Sequence, residues 1–225
     1  MAQSNRGFAG SGPAPGGKMN IGLNMPAEPI DPDRAILKAE LRNRMRTALL
    51  KIAGTRRQQD SLRACELLAR QQVWCNATAI LFFVARPDEL DLLPLLEAAL
   101  AARKAVALPR YVPETGAYTA CRIEQYPRDC APGKFGIAEP SAACPIFPLN
   151  RLDFALVPGL AYDLSGHRLG RGQGYYDRLL AEVTGTRCGV AFDEQIIEPI
   201  PAEPHDMSVN CILTPTQWME FPAAG

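Results

Sequence analysis

Apolar side chains recur at helical spacing from Arg34 onward, at Leu37, Leu41, Met45, Ala48, Leu49 and Ile52, and predict a first helix whose start Asp31 or Asp33 can cap. A second helical stretch is predicted from about Arg56 to Gln71. The run from Ala79 to Val84 is apolar without alternation and has strand length, the pattern of a strand buried on both faces. Asp91 can cap a further helix through Arg103, and Ala105 to Leu108 then gives a second short strand, ended by Pro109 because proline offers no N–H. Strand, helix, strand in this order implies a parallel crossover.

The same unit returns later. Asp153 to Val157 reads as a strand, followed by a glycine-rich loop, a helix near 175 to 183 and a strand from Arg187 to Phe192. The fold class expected is α/β, a three-layer open and mainly parallel sheet with helices on both faces. Residues 111 to 149 are Pro-rich and less regular, with Tyr118 to Glu124 as a strand of a small β excursion. Residues 1–30 hold six Gly, four Pro and one aromatic, Phe8, too little apolar area to offset backbone ordering. The division expected is a disordered N-terminal tail (1–30), one α/β domain (31–217) and a short C-terminal tail (218–225).

Composition narrows the function classes. With 225 residues, 47% of them hydrophobic, one well-filled core is the default. Balanced charge, 24 basic against 24 acidic side chains, gives no reason to expect nucleic acid or an anionic membrane as partner. The seven cysteines, at 65, 75, 121, 130, 144, 188 and 211, contain no C-x-x-C pair and read as reduced core residues. No run approaches a membrane span, and the N-terminus lacks the apolar stretch of a secretory signal. A cytoplasmic, monomeric protein is expected.

The densest chemistry lies between Val157 and Asp177. Val157, Pro158 and Gly159 end a strand, Ser165 and Gly166 mark a turn, and Arg168-Leu169-Gly170-Arg171-Gly172-Gln173-Gly174-Tyr175-Tyr176-Asp177 follows. Glycines at 170, 172 and 174 let backbone N–H groups approach a phosphate, the following helix dipole favours negative charge, and Arg168 and Arg171 add fixed cations. The spacing is neither a P-loop nor the dinucleotide fingerprint, which argues against a dinucleotide-dependent oxidoreductase. A tight turn that holds no ligand would use the same glycines. Lys38 and Arg42, four apart, share one helical ridge and can grip one phosphate chain, although a helix that also carries Arg34, Arg44, Arg46 and Lys51 can simply present a solvated basic face. His167 and His205 have no zinc-spaced partners and read as loop residues.

The stretch from Arg168 to Asp177, with the Val-Pro-Gly strand end before it, resembles the hallmark of the 5-formyltetrahydrofolate cyclo-ligase family. Lys38-Ala39-Glu40-Leu41-Arg42, Asp88-Glu89 and Pro204-His205-Asp206 stand in the family's order, and the resemblance runs from about 34 to 216. It implies an enzyme that uses ATP and Mg2+ to convert 5-formyltetrahydrofolate to 5,10-methenyltetrahydrofolate, with ADP and phosphate released. It further implies ATP contacts from Lys38, Arg42 and residues 168 to 176 (Arg168, Leu169, Gly170, Arg171, Gly172, Gln173, Gly174, Tyr175, Tyr176). Folate contacts would come from Arg42, Val84, Glu89 and Tyr175, catalytic roles from Arg168, Arg171 and Tyr175, and metal ligation from Asp177 and Asp206. At Gln173 some relatives have lysine, so no cationic role carries over to that position. Two other readings share these features: a noncatalytic folate- or nucleotide-binding relative, and an α/β enzyme such as a sugar-phosphate isomerase that would use the loop for its substrate's phosphate.

Overall fold

The computed structural model describes residues 32–197 and 199–221, so the expected tail at 1–30 lies outside the described residues. The chain opens with α1 (Pro32–Leu50), α2 (Gly54–Ala69) and a short α3 (Gln72–Asn76). Then come β1 (Ala79–Leu81), α4 (Leu93–Ala101), β2 (Ala105–Val112) and β3 (Ala117–Ile123). A small hairpin, β4 (Cys130–Pro132) with β5 (Ala138–Pro140), precedes β6 (Phe154–Pro158). The remainder is β7 (Ala161–Tyr162), β8 (Arg168–Leu169), α5 (Tyr175–Leu180), β9 (Thr186–Val190), β10 (Cys211–Leu213) and β11 (Trp218–Glu220).

Seven strands form one sheet in the order β11-β10-β9-β6-β1-β2-β3. The pairs β10–β9, β9–β6, β6–β1 and β1–β2 are parallel, while β3 and β11 close the two edges antiparallel. Burial on both faces accounts for the unbroken apolar runs. Ile80, Val106, Leu108, Phe154, Leu156, Cys188 and Leu213 pack on one face with Met45, Leu49, Leu68, Trp74 and Leu95 of the first four helices. Leu81, Ala107, Ala155, Val157 and Ile212, the alternating positions, pack on the other with Leu179 and Leu180 of α5. The fully buried Tyr162 fills space under this second face, where a Cβ on Gly189 would come within 2.5 Å of its ring.

Three expectations need correction. The second strand does not stop at Pro109 but runs on to Val112. The N–H of Ala105 and the carbonyl of Ala107 point toward β1, so odd-numbered residues of β2 face that side. Because β1 ends at Leu81, Pro109 turns its missing donor to a position that no neighbouring strand occupies. Second, the glycine loop does not follow β6 directly; the β7–β8 hairpin, turning at Gly166 (φ 81°), intervenes. Third, residues 218 to 220 are not part of a tail. Trp218 and Met219 pair with Leu213 and Ile212, and Met219 and Phe221 pack on the second core cluster.

No helix among the described residues is long and apolar enough to cross a membrane. All seven cysteines are free thiols, five of them buried; burial, chiefly, pushes Cys65 to about 11.

Candidate active site

The carboxyl ends of β1 and β6, the turn between β4 and β5, and the glycine loop enclose a cleft of about 340 Å³, within the usual range for a small-molecule site. Each wall has a local reason for its shape. At the end of β1 the chain turns so that the Arg86 N–H donates to Glu89 Oε2 at 3.0 Å. Arg57 ties this turn down by donating to the Pro87 carbonyl and, at 2.5 Å, to the Leu49 carbonyl near the end of α1. Val84 and Glu89 therefore reach the cleft from a fixed loop.

In the glycine loop, Gly172 and Gly174 adopt φ of 99° and 62°, values that side chains with a Cβ rarely take. Gly170 is needed for proximity, since a Cβ there would stand 3.0 Å from Arg168 Nη1. The loop thereby folds over Arg168, whose Nη2 donates to Asp177 Oδ1 at 2.6 Å. Arg168 Nε is buried without a hydrogen-bond partner among the described residues. Arg171 points to the opposite wall and donates to Asp88 at 3.0 Å and to Glu89 Oε1 at 2.9 Å. Burial raises the pKa of Glu89, and the neighbouring guanidinium of Arg171 opposes that rise.

Of the residues singled out from the sequence, Val84, Glu89, Arg168, Gly170, Arg171, Gln173, Gly174, Tyr175, Tyr176 and Asp177 line one cleft. Leu169 is a core side chain of β8. Arg42 approaches from α1: its Nε donates to the Gly170 carbonyl at 3.0 Å, and its guanidinium lies beside Gly172. Burial, then repulsion from Arg46, lowers the Arg42 pKa, so an anion at this position would be welcome. Lys38 is buried and donates to Glu203 and, at 2.5 Å, to Asp206 Oδ2. Asp206 belongs to a group with Glu203 and His205 whose ligand atoms lie within 4.8 Å of one another. It connects to the cleft through the Met207 N–H, which donates to Asp177 Oδ1 at 3.3 Å.

Several residues of the site carried no readable signal. Phe135, exposed, stands on the cleft wall with φ 62°, and Lys134 before it donates to Tyr175 Oη at 2.8 Å. Tyr175 also meets Tyr111 and Tyr118 edge-on, with centroids 5.8 and 5.3 Å away. Glu139, buried, organises this wall by accepting from the N–H groups of Tyr111 and Lys134 and from the Tyr118 hydroxyl. Burial, and after it the Glu139 carboxylate, pushes the Tyr118 pKa up.

The 5-formyltetrahydrofolate cyclo-ligase family model matches residues 35–215. The chain belongs to this family. A mouse 5-formyltetrahydrofolate cyclo-ligase is 27% identical over 84% of this chain and 97% of its own length. The protein of that name from Escherichia coli K12 is 32% identical over 64% of this chain and 82% of its own. Among solved structures, the NMR structure of a 5,10-methenyltetrahydrofolate synthetase from Aquifex aeolicus superposes with a TM-score of 0.74 at 30% identity, covering 82% of this chain and 92% of that one. The match to the family spans every residue that lines the cleft, from Arg46 to Asp177.

Proposed function

We propose that this protein cyclises 5-formyltetrahydrofolate to 5,10-methenyltetrahydrofolate at the expense of ATP, with Mg2+ as the metal. The observation that carries the reading is the cleft itself. One wall offers a buried carboxylate, Glu89, beside Val84, and the other a row of cations and glycines; Tyr175 lines the same cleft. A pterin presents ring N–H and amino donors that suit Glu89, and the aromatic faces of Tyr175 and Phe135 suit its flat ring system. ATP phosphates would lie along the glycine loop, met by backbone N–H groups of 170 to 174 and by Arg42, Lys38, Arg168 and Arg171.

In the reaction, the formyl oxygen attacks the γ-phosphorus and ADP departs with the bridging electron pair. N10 of the folate then attacks the activated formyl carbon and loses its proton, and inorganic phosphate leaves with the former formyl oxygen. Such a transfer asks for alignment and charge stabilisation rather than a protein nucleophile. Donors from the pterin would share Glu89 with Arg171 and so turn part of that guanidinium toward the phosphoryl group. Asp206 and Asp177 would hold the Mg2+, with Glu203 beside them; their oxygen donors suit a hard cation, and two of the carboxylates already hold the Lys38 ammonium. Bound there, the ion neutralises charge on the phosphate oxygens.

The test is to supply folate carrying 18O in the formyl group and examine the products by mass spectrometry. The label is expected in inorganic phosphate. Label in water would contradict the phosphorylated intermediate, and ATP binding without product would favour the noncatalytic relative.

A further inference from the structure

Lys134 lies in the turn between β4 and β5, where Phe135 and Gly136 both hold positive φ, 62° and 72°. A phenylalanine in that region costs roughly 1 kcal/mol or more, so the surrounding contacts must impose the shape. They do so through Glu139, which accepts from the Lys134 N–H at 3.0 Å while gripping the Tyr111 N–H at 2.8 Å. The Lys134 side chain is thereby aimed. Its Nζ donates to Tyr175 Oη at 2.8 Å and stands 3.4 Å from the Tyr111 ring centroid and 4.9 Å from that of Tyr175.

These partners are a phenol and aromatic faces. Among the described residues no carboxylate forms an ion pair with this ammonium, so its charge remains unneutralised beside the cleft. Desolvation works against that charge, yet the neighbouring Tyr111 and Tyr175 side chains hold the Lys134 pKa above its ordinary value. Tyr175 lines the cleft while Lys134 stands behind it. A hydroxyl that accepts from an ammonium keeps its own O–H for another acceptor, and the ammonium strengthens it as a donor. A second cation acts on the same ring: the Arg178 guanidinium lies 5.3 Å from the Tyr175 centroid.

We propose that Lys134 is a positioning residue for the phosphoryl transfer: it fixes the Tyr175 ring and directs the Tyr175 O–H, as a strengthened donor, toward an oxygen of the group in transfer. The proposal rests on the cyclo-ligase reading above. Its test uses the full chain and the variants Lys134→Met, Lys134→Gln, Lys134→Arg, Tyr175→Phe and the double variant Lys134→Met/Tyr175→Phe. Both neutral variants should lower kcat by about ten- to a hundredfold with KM for either substrate changed less than about threefold, and Lys134→Arg should recover most of the loss. In the Tyr175→Phe background, Lys134→Met should change kcat by less than about threefold, because the residue acts through the missing hydroxyl.

A readout free of turnover accompanies these rates. The Tyr175 ring resonances, labelled with 13C and assigned through Tyr175→Phe, should show a ring held in one orientation in the wild type and in Lys134→Arg, and faster ring flipping in Lys134→Met at the same neutral pH. Unchanged kcat in the neutral variants, an equal loss with and without the Tyr175 hydroxyl, or unaltered Tyr175 ring dynamics would overturn the proposal. A wild-type chain that makes no product would sink the cyclo-ligase reading instead, and the Tyr175 ring dynamics would still decide whether Lys134 acts on Tyr175.

Discussion

At the scale of single residues, Glu89 shows burial and pairing in opposition. Its side chain is 8% exposed and Arg171 lies 2.9 Å away, yet burial prevails and its native pKa is raised above the ordinary value of 4.5. A carboxyl whose native pKa is raised favours the folded state most at low pH, and that contribution is lost as pH rises through the native value. We therefore expect the stability of the wild type relative to Glu89→Gln, followed by urea denaturation, to decline from below pH 4.5 toward neutrality. A difference that stays flat over this range would remove the stated role of burial. The same substitution should weaken folate more than ATP, raising KM for folate by about tenfold or more, since a carboxylate that pairs with pterin donors is replaced by an amide. The sequence made Glu89 legible only through the family's order of motifs. Its partner Arg171 lies 82 positions away in the chain, and no local pattern announces such a pair. Lys134 and Glu139 were illegible for the same reason: Lys134 acts on the Tyr175 hydroxyl in α5, and Glu139 on the Tyr111 N–H in β2.

At the scale of elements, the buried parallel strands were readable because both of their faces are apolar, and β1, β6 and β9 lie within about a residue or two of the expected starts. Pro109 misled because a missing N–H ends a strand only when that donor is wanted, and here it faces the side β1 has vacated. The end of α4 offers a further test. Arg103 adopts φ 59° just beyond the helix, and the Lys104 N–H bonds back to the Ala99 carbonyl at 3.0 Å, the closing bond of a Schellman turn. Glycine takes this conformation without a Cβ penalty, so Arg103→Gly should stabilise the protein by about 0.5–1 kcal/mol, seen as a higher midpoint in thermal melting. A lower midpoint would mean that the arginine side chain contributes more than its backbone costs. The loop that bears the site was legible in another way. Its glycines stand where positive φ or a close approach to Arg168 requires them, so the sequence motif and the local geometry coincide.

At the scale of the whole molecule, the cleft forms where segments from α1, β1, the β4–β5 turn, β6 and the glycine loop converge, so its integrity depends on the sheet that holds those ends together. The last strand belongs to that support. Removing residues 218 to 225 would uncover β10 and withdraw Met219 and Phe221 from the second core cluster. A true tail could be removed without effect, whereas this truncation should lower the melting midpoint and promote aggregation through the bared edge, both visible by calorimetry and size-exclusion chromatography. A truncated chain with an unchanged midpoint would show that β11 contributes nothing to the fold. Its three residues were too short a run to register as a strand, and only pairing with β10 gives them one. The most direct test of the central claim is the growth of 5,10-methenyltetrahydrofolate absorbance when the purified chain meets 5-formyltetrahydrofolate, with ATP and Mg2+ each present or omitted. Product that requires both is the expected result; no product from a folded chain that binds ATP, or product formed equally well without ATP, would contradict it.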